Sequence, residues 1–151
     1  MELYVALIGA IAIIVAPIIT LIIQEWIQNR KYPSVGNRRD ISGIWKGSTV
    51  QGNSRSVNIS GILKAKTKKI SGDAVVEWEN SSMKLKFKGH FLDENHIHIN
   101  YESDDKTIKN FGSQILKISS NGSKLEGLTI GYGSEAESII SGTTILNRLS
   151  K

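Results

Sequence analysis

Met83–Tyr101 reads MKLKFKGHFLDENHIHINY. Met83, Leu85, Phe87, Gly89 and Phe91 alternate with Lys84, Lys86, Lys88 and His90. Ile97, Ile99 and Tyr101 alternate likewise with His96, His98 and Asn100. Successive side chains of a strand point to opposite faces, so each run is a strand with one core face and one wet face. Asp93-Glu94-Asn95 between them has turn chemistry. Apolar residues of a surface helix recur every three or four positions, and that period is absent here.

The same pattern extends in both directions. Both prolines, Pro17 and Pro33, precede Ile41, and no long helical period follows it. Short runs are separated by clusters of Gly, Asn, Ser and Asp at regular spacing, which reads as an all-β sandwich or barrel. Strands are expected over about residues 41–50, 55–65, 69–79, 83–92, 96–102, 108–118, 124–132 and 136–149. Short turns make sequence neighbours pair in space, giving an up-and-down antiparallel meander. Eight such strands close into a minimal barrel whose interior is just filled or holds one small ligand. Glycines inside the runs, such as Gly61, Gly89 and Gly127, permit the bending that closure requires.

Upstream the chemistry changes. Leu3–Ile23, LYVALIGAIAIIVAPIITLII, carries no charge and is apolar all round. As a helix it would reach ~32 Å, about the thickness of a bilayer's hydrocarbon core. Glu2 replaces the basic start of a signal peptide, and Gln24-Glu25-Trp26-Ile27 replaces its small-residue cleavage site. The segment therefore reads as an uncleaved span, with Pro17 a kink tolerated in lipid. Arg30, Lys31, Arg38 and Arg39 follow it and no Lys or Arg precedes it. The positive-inside rule then places the N-terminus outside and the C-terminal domain in the cytoplasm, beneath the plasma membrane. The expected division is a transmembrane segment at 1–27, a basic linker at 28–40 and a ligand-binding barrel at 41–151.

The chain of 151 residues has no cysteine, which excludes a disulfide framework and a thiolate metal site. Four cations lie just after the span, where they serve topology and anionic lipid. Residues 41–151 carry 15 Lys and Arg against 11 Asp and Glu, a mildly basic balance far from the basic stripe of a DNA- or RNA-binding domain. His90, His96 and His98 share an outer face with Lys86 and Lys88 and have no acidic or thiol partner on it, so no metal site is expected. No G-x-S-x-G, P-loop or dinucleotide fingerprint is present. Gly131-Tyr132-Gly133 falls at a strand-to-strand turn and reads as a hairpin. The residues point away from an enzyme and from any resident cofactor, and towards a binding module.

Strand order groups the loops. The turns near 51–54, 80–82, 103–107 and 133–135 share one end, and the linker, the turns near 67, 94 and 121 and the C-terminus share the other. Small barrels bind ligands at one mouth. The candidate ligand-binding residues at the end remote from the linker are Asn53, Arg55, Asn80, Tyr101, Lys106 and Tyr132. Two tyrosines for stacking on bases and two cations for phosphate suit a small nucleotide.

Gly43-Ile44-Trp45 in the first strand is similar to the G-x-W of lipocalin- and avidin-like barrels. The layout of Leu3–Ile23 with a basic linker and a minimal barrel, together with Ser42-Gly43-Ile44-Trp45-Lys46-Gly47, Phe111-Gly112, Leu125-Glu126-Gly127-Leu128 and Ser141-Gly142-Thr143, resembles a bacterial effector family. These are the two-transmembrane-plus-β effectors of CBASS and Panoptes anti-phage defence. The family label carries two spans, whereas one is legible here. The resemblance implies a barrel that binds a cyclic di- or oligonucleotide from a partner synthase. It implies that the ligand controls homo-oligomerisation, and that assembled spans disrupt the inner membrane and arrest growth. In the Panoptes variant the ligand holds the effector silent. Two further readings stay open: a membrane-anchored lipocalin-like barrel for an apolar ligand, and a protein-binding assembly subunit.

Overall fold

The computed structural model describes residues 40–52, 54–133 and 137–150. The expected membrane span at 3–23, most of the linker, and Asn53 lie outside the described residues. No helix among the described residues is long and apolar enough to cross a membrane.

Eight antiparallel strands form a closed barrel in chain order: β1 (Gly43–Gln51), β2 (Ser56–Lys66), β3 (Lys69–Trp78), β4 (Ser81–Phe91), β5 (His96–Ser103), β6 (Phe111–Ile118), β7 (Lys124–Gly133) and β8 (Ser138–Ser150). Each strand pairs with its sequence neighbours, and β8 returns to β1, with Gly47 opposite Leu146 and Thr49 opposite Thr144. Inward and outward residues alternate as the sequence predicts on β4 and β5: Met83, Phe91, Ile97 and Ile99 are buried, while Lys84, Lys86 and Lys88 face out.

Three boundaries differ from expectation for local reasons. The β3–β4 turn is Glu79-Asn80 alone, so Ser81 and Ser82 already belong to β4. Glu79 takes a positive φ of 47°, as a two-residue hairpin turn demands. Strand β6 starts at Phe111 rather than 108. There the Asp105 carboxylate accepts hydrogen bonds from the Thr107 amide and hydroxyl, and the Ile108 amide donates to the Asp105 carbonyl, which coils the segment before pairing begins. At the far end β8 extends to Ser150, because Ile44 still offers it a partner beyond a bulge at Ile44/Trp45.

One end of the barrel is sealed. Ile41, Trp45, Ile70, Ile97, Leu116, Ile118 and Leu125 are buried there in one core cluster. The Trp45 indole Nε1 donates to the Ile41 carbonyl at 2.9 Å, folding the incoming chain across the opening. Arg148 lies over the Trp45 ring, 5.9 Å from its centroid. Its guanidinium donates to the carbonyls of Asp40, at 2.9 Å, and Ser42. The cation thus satisfies backbone acceptors that closure would otherwise strand, and packs on an aromatic face.

Trp45→Ala in the full chain in detergent is expected to cost about 3–5 kcal/mol of stability in urea unfolding, because it opens a cavity in the floor. Ile44→Ala, one residue away but facing out, is expected to change stability by less than about 1 kcal/mol.

Candidate functional site

Above the floor lies a cavity of about 190 Å³ that opens at the opposite end, among the β1–β2, β3–β4, β5–β6 and β7–β8 connections. These are the loops the sequence groups at one end. Residue 40 joins the barrel at the sealed end, so the mouth is remote from the point where the preceding chain arrives.

The cavity wall has two characters. Strands β2, β3 and β4 contribute Val57, Ile59, Val76, Met83, Leu85 and Phe87. Strands β6, β7 and β1 contribute Gln114, Thr129, Thr49 and Gln51. The threonine hydroxyls are linked through Thr144, which is fully buried: Thr49 Oγ1 lies 2.6 Å and Thr129 Oγ1 2.5 Å from Thr144 Oγ1. Gln114 stands directly opposite Thr129 in the β6–β7 register.

Tyr101 reaches across this wall from β5. Its register partner on β6 is Gly112, whose own β7 partner is Gly131. A Cβ at either glycine would collide with the Tyr101 phenol. The two glycines are therefore the space in which the ring lies. Burial pushes the Tyr101 hydroxyl above its ordinary pKa, so it is a neutral hydrogen-bond donor at physiological pH.

The structure places the other predicted residues apart. Arg55 lines the mouth, with an ion pair of 3.6 Å to Glu79. Tyr132 is at the rim, but its ring stacks on Phe111 at 5.8 Å, outside the barrel. Asn80 sits in the β3–β4 turn, in a shallow polar hollow on the outer side with Asn58 and Glu77. Lys106 pairs with Glu102 at 3.1 Å and is well exposed. Arg55, Tyr101 and Tyr132 are thus brought together around the cavity, while Asn80 and Lys106 are not part of its wall.

Gln114, Thr49 and Thr129 are absent from the sequence-based set. Their signal was present: Gln114 is in phase with Leu116 and Ile118, a polar residue on the core face of a strand. The histidines have local partners. His96 Nδ1 is 2.9 Å from the Asp93 carboxylate in the β4–β5 turn, and His98 Nε2 is 2.6 Å from Ser113 Oγ on the outer wall. Among the described residues, no group of three or more His, Cys, Asp or Glu could hold a metal ion.

No protein-family model matches this chain, and no curated protein matches it in sequence. Among solved structures, EF1p2_mFAP2b bound to DFHBI superimposes with a TM-score of 0.62. The match covers 72% of this chain and 93% of that one at 8% identity, a likeness that shows the fold alone.

A raised phenol pKa gives a signed expectation. Folding favours the neutral Tyr101, so its contribution to stability is fully present below the ordinary value of about 10 and is lost as pH rises through the folded value. In a near-ultraviolet absorbance titration, the difference between wild type and Tyr101→Phe is expected to report a phenol ionising above the ordinary tyrosine range.

Proposed function

We propose that the barrel is the sensor domain of a membrane-tethered anti-phage effector and binds a cyclic di- or oligonucleotide at its open mouth. The observation that carries this reading is the graded cavity: an interior sized for one flat ring, with Tyr101 beneath the mouth and Arg55 on it. Its volume is close to that of an apolar cavity of ~150 Å³ that takes benzene, and below the ~300 Å³ of pockets that engulf drug-sized ligands. A whole cyclic dinucleotide exceeds it. One base in the cavity and the phosphates at the rim, within reach of the Arg55 guanidinium, divides the ligand as the polarity divides the site. The floor is sealed where the chain arrives, so the ligand has one route in.

The remainder of the reading rests on Leu3–Ile23, the basic linker and the family resemblance. The segment spans the bacterial inner membrane with the barrel in the cytoplasm, and the output is membrane disruption by assembled copies. A single span cannot enclose a pore, so assembly is required. The outer wall of β6–β8 suits that assembly. Phe111, Ile115, Leu128, Ile130 and Ile139 are exposed there on adjacent strands, with Leu128 at 69% and Ile139 at 74%. These side chains form one contiguous apolar patch across three neighbouring strands, the kind of surface that marks an interaction site.

A second reading, a carrier for a small apolar ligand, is favoured by the hydrocarbon wall of β2–β4. Calorimetry with a panel of cyclic di- and trinucleotides separates the two when paired with mass spectrometry of organic extracts of the purified protein. Saturable nucleotide binding that falls at least about tenfold in Arg55→Ala supports the sensor, since a hydrogen bond to a charged group contributes ~1.5–3 kcal/mol. Absence of nucleotide binding together with a stoichiometric co-purifying apolar compound overturns it. Leu128→Asp is expected to lower self-association in analytical ultracentrifugation and to leave nucleotide affinity unchanged, because its side chain faces away from the cavity.

A further inference from the structure

We infer that Gln114, backed by the threonine chain, is the specificity-determining group of the cavity. It reads the hydrogen-bonding edge of a planar nitrogen heterocycle that carries a donor and an acceptor side by side, as the amidine or lactam edge of a nucleobase does. The inference rests on the proposed sensor reading for the rest of the ligand, but its own argument is confined to the cavity.

The first step is the asymmetry of the wall. A ring entering the cavity meets hydrocarbon from β2–β4 on one side and polar groups from β6, β7 and β1 on the other. A purely apolar ligand would leave the polar side unmatched, and a sugar or phosphate would leave the hydrocarbon side unmatched. A flat heterocycle satisfies both, with its faces and one edge on hydrocarbon and another edge on the polar strip.

The second step is the hydrogen-bond inventory. Gln114 offers two N–H donors and a carbonyl acceptor, and its side chain makes no hydrogen bond to the described residues. A carboxamide pairs bidentately with an adjacent donor and acceptor on a ring, the geometry by which Gln reads adenine. Opposite it, the three threonine hydroxyls hold three protons but share only two links. If the chain runs from Thr49 through Thr144 to Thr129, the Thr129 hydroxyl is left with a free proton. If it runs the other way, Thr129 keeps a free lone pair and the spare proton moves to Thr49. The strip can thus present a donor or an acceptor beside Gln114 without moving a backbone atom. The cost of leaving Gln114 unmatched falls on any ligand lacking such an edge, which is how a polar site rejects an apolar isostere.

The test uses the full chain in detergent and two flat probes of similar size, adenine and naphthalene, with quenching of Trp45 and Trp78 at the cavity wall and calorimetry as readouts. Gln114→Leu is expected to weaken adenine at least tenfold while leaving naphthalene unchanged or tighter. Thr129→Val is expected to weaken adenine by a smaller factor. Gln114→Glu, which keeps the size and the acceptor but loses the donors, controls for shape and is expected to weaken adenine as well. Melting temperatures within a few degrees of wild type establish that the variants fold. Equal loss of both probes, no change in either, or no adenine binding by the wild type overturns the inference. Cyclic di-adenylate run in parallel distinguishes the failures. If it binds and Gln114→Leu leaves its affinity intact, the inference falls and the sensor reading stands. If it does not bind but Gln114 still discriminates adenine from naphthalene, the sensor reading falls and the inference stands.

Discussion

The pairing of β8 with β1 is the constraint on which the rest of the structure depends. A sheet of eight strands left open would present two unpaired edges and two faces, and the inward row from Trp45 to Leu146 could not be enclosed. Closure removes both edges and fixes the diameter, and eight strands leave an interior only wide enough for side chains and one small guest. Whether that interior is core or cavity is then decided by side-chain size alone. At the end where β1 begins, Trp45, Phe91, Leu116 and Leu125 fill it. Towards the other end, the inward positions of β6 and β7 are Gly112, Gln114, Thr129 and Gly131; the Tyr101 ring covers the two glycines, and beside it the interior stays open.

The sealed end shows how a barrel can dispense with a plugging helix. Trp45 supplies the bulk, but an indole across the axis has an N–H to satisfy, and the incoming chain brings carbonyls into a space with little water. Ile41 resolves both by giving its side chain to the core and its carbonyl to the indole. Arg148 completes the arrangement from the last strand, so the first and last segments of the barrel hold each other through the residue that closes the floor.

Much of this was legible in the residues. The alternation in Met83–Tyr101 set the faces of β4 and β5, and turn chemistry located the strands and the ends the loops share. What was not legible follows from physical causes. Strand β6 mixes Gly112, Gln114 and Ser113 with apolar residues on both faces, so its parity depends on the neighbours that only closure supplies. Side chains suited to phosphate and base are legible in the mouth loops, but loop position does not fix direction. Lys106 finds Glu102 away from the cavity, and Tyr132 stays at the rim with its ring stacked on Phe111. Gln114 shares its phase with Leu116 and Ile118, but Phe111 and Ile115 on the opposite parity blur that signal in the residues alone.

Alternation also bears on how a ligand inside a rigid barrel could be felt outside it. The strands that carry Gln114 and Thr129 inward carry Ile115, Leu128 and Ile130 outward, one residue away. A strand cannot twist its inner row without moving its outer row by a comparable amount. In the proposed sensor, a guest held by β6 and β7 therefore acts on the apolar wall through the thickness of a single backbone, with no relay of side chains. The size of the response is bounded by thermodynamics. The ligand shifts self-association only by the difference between its affinities for the separate and the assembled barrel, and a swing from 1:99 to 99:1 needs a difference of about 10⁴-fold. The small cavity cannot supply that from ring contacts alone. A base-only fragment should thus bind without driving the full change, and the remainder of the switching energy must come from the portion of the ligand left at the mouth.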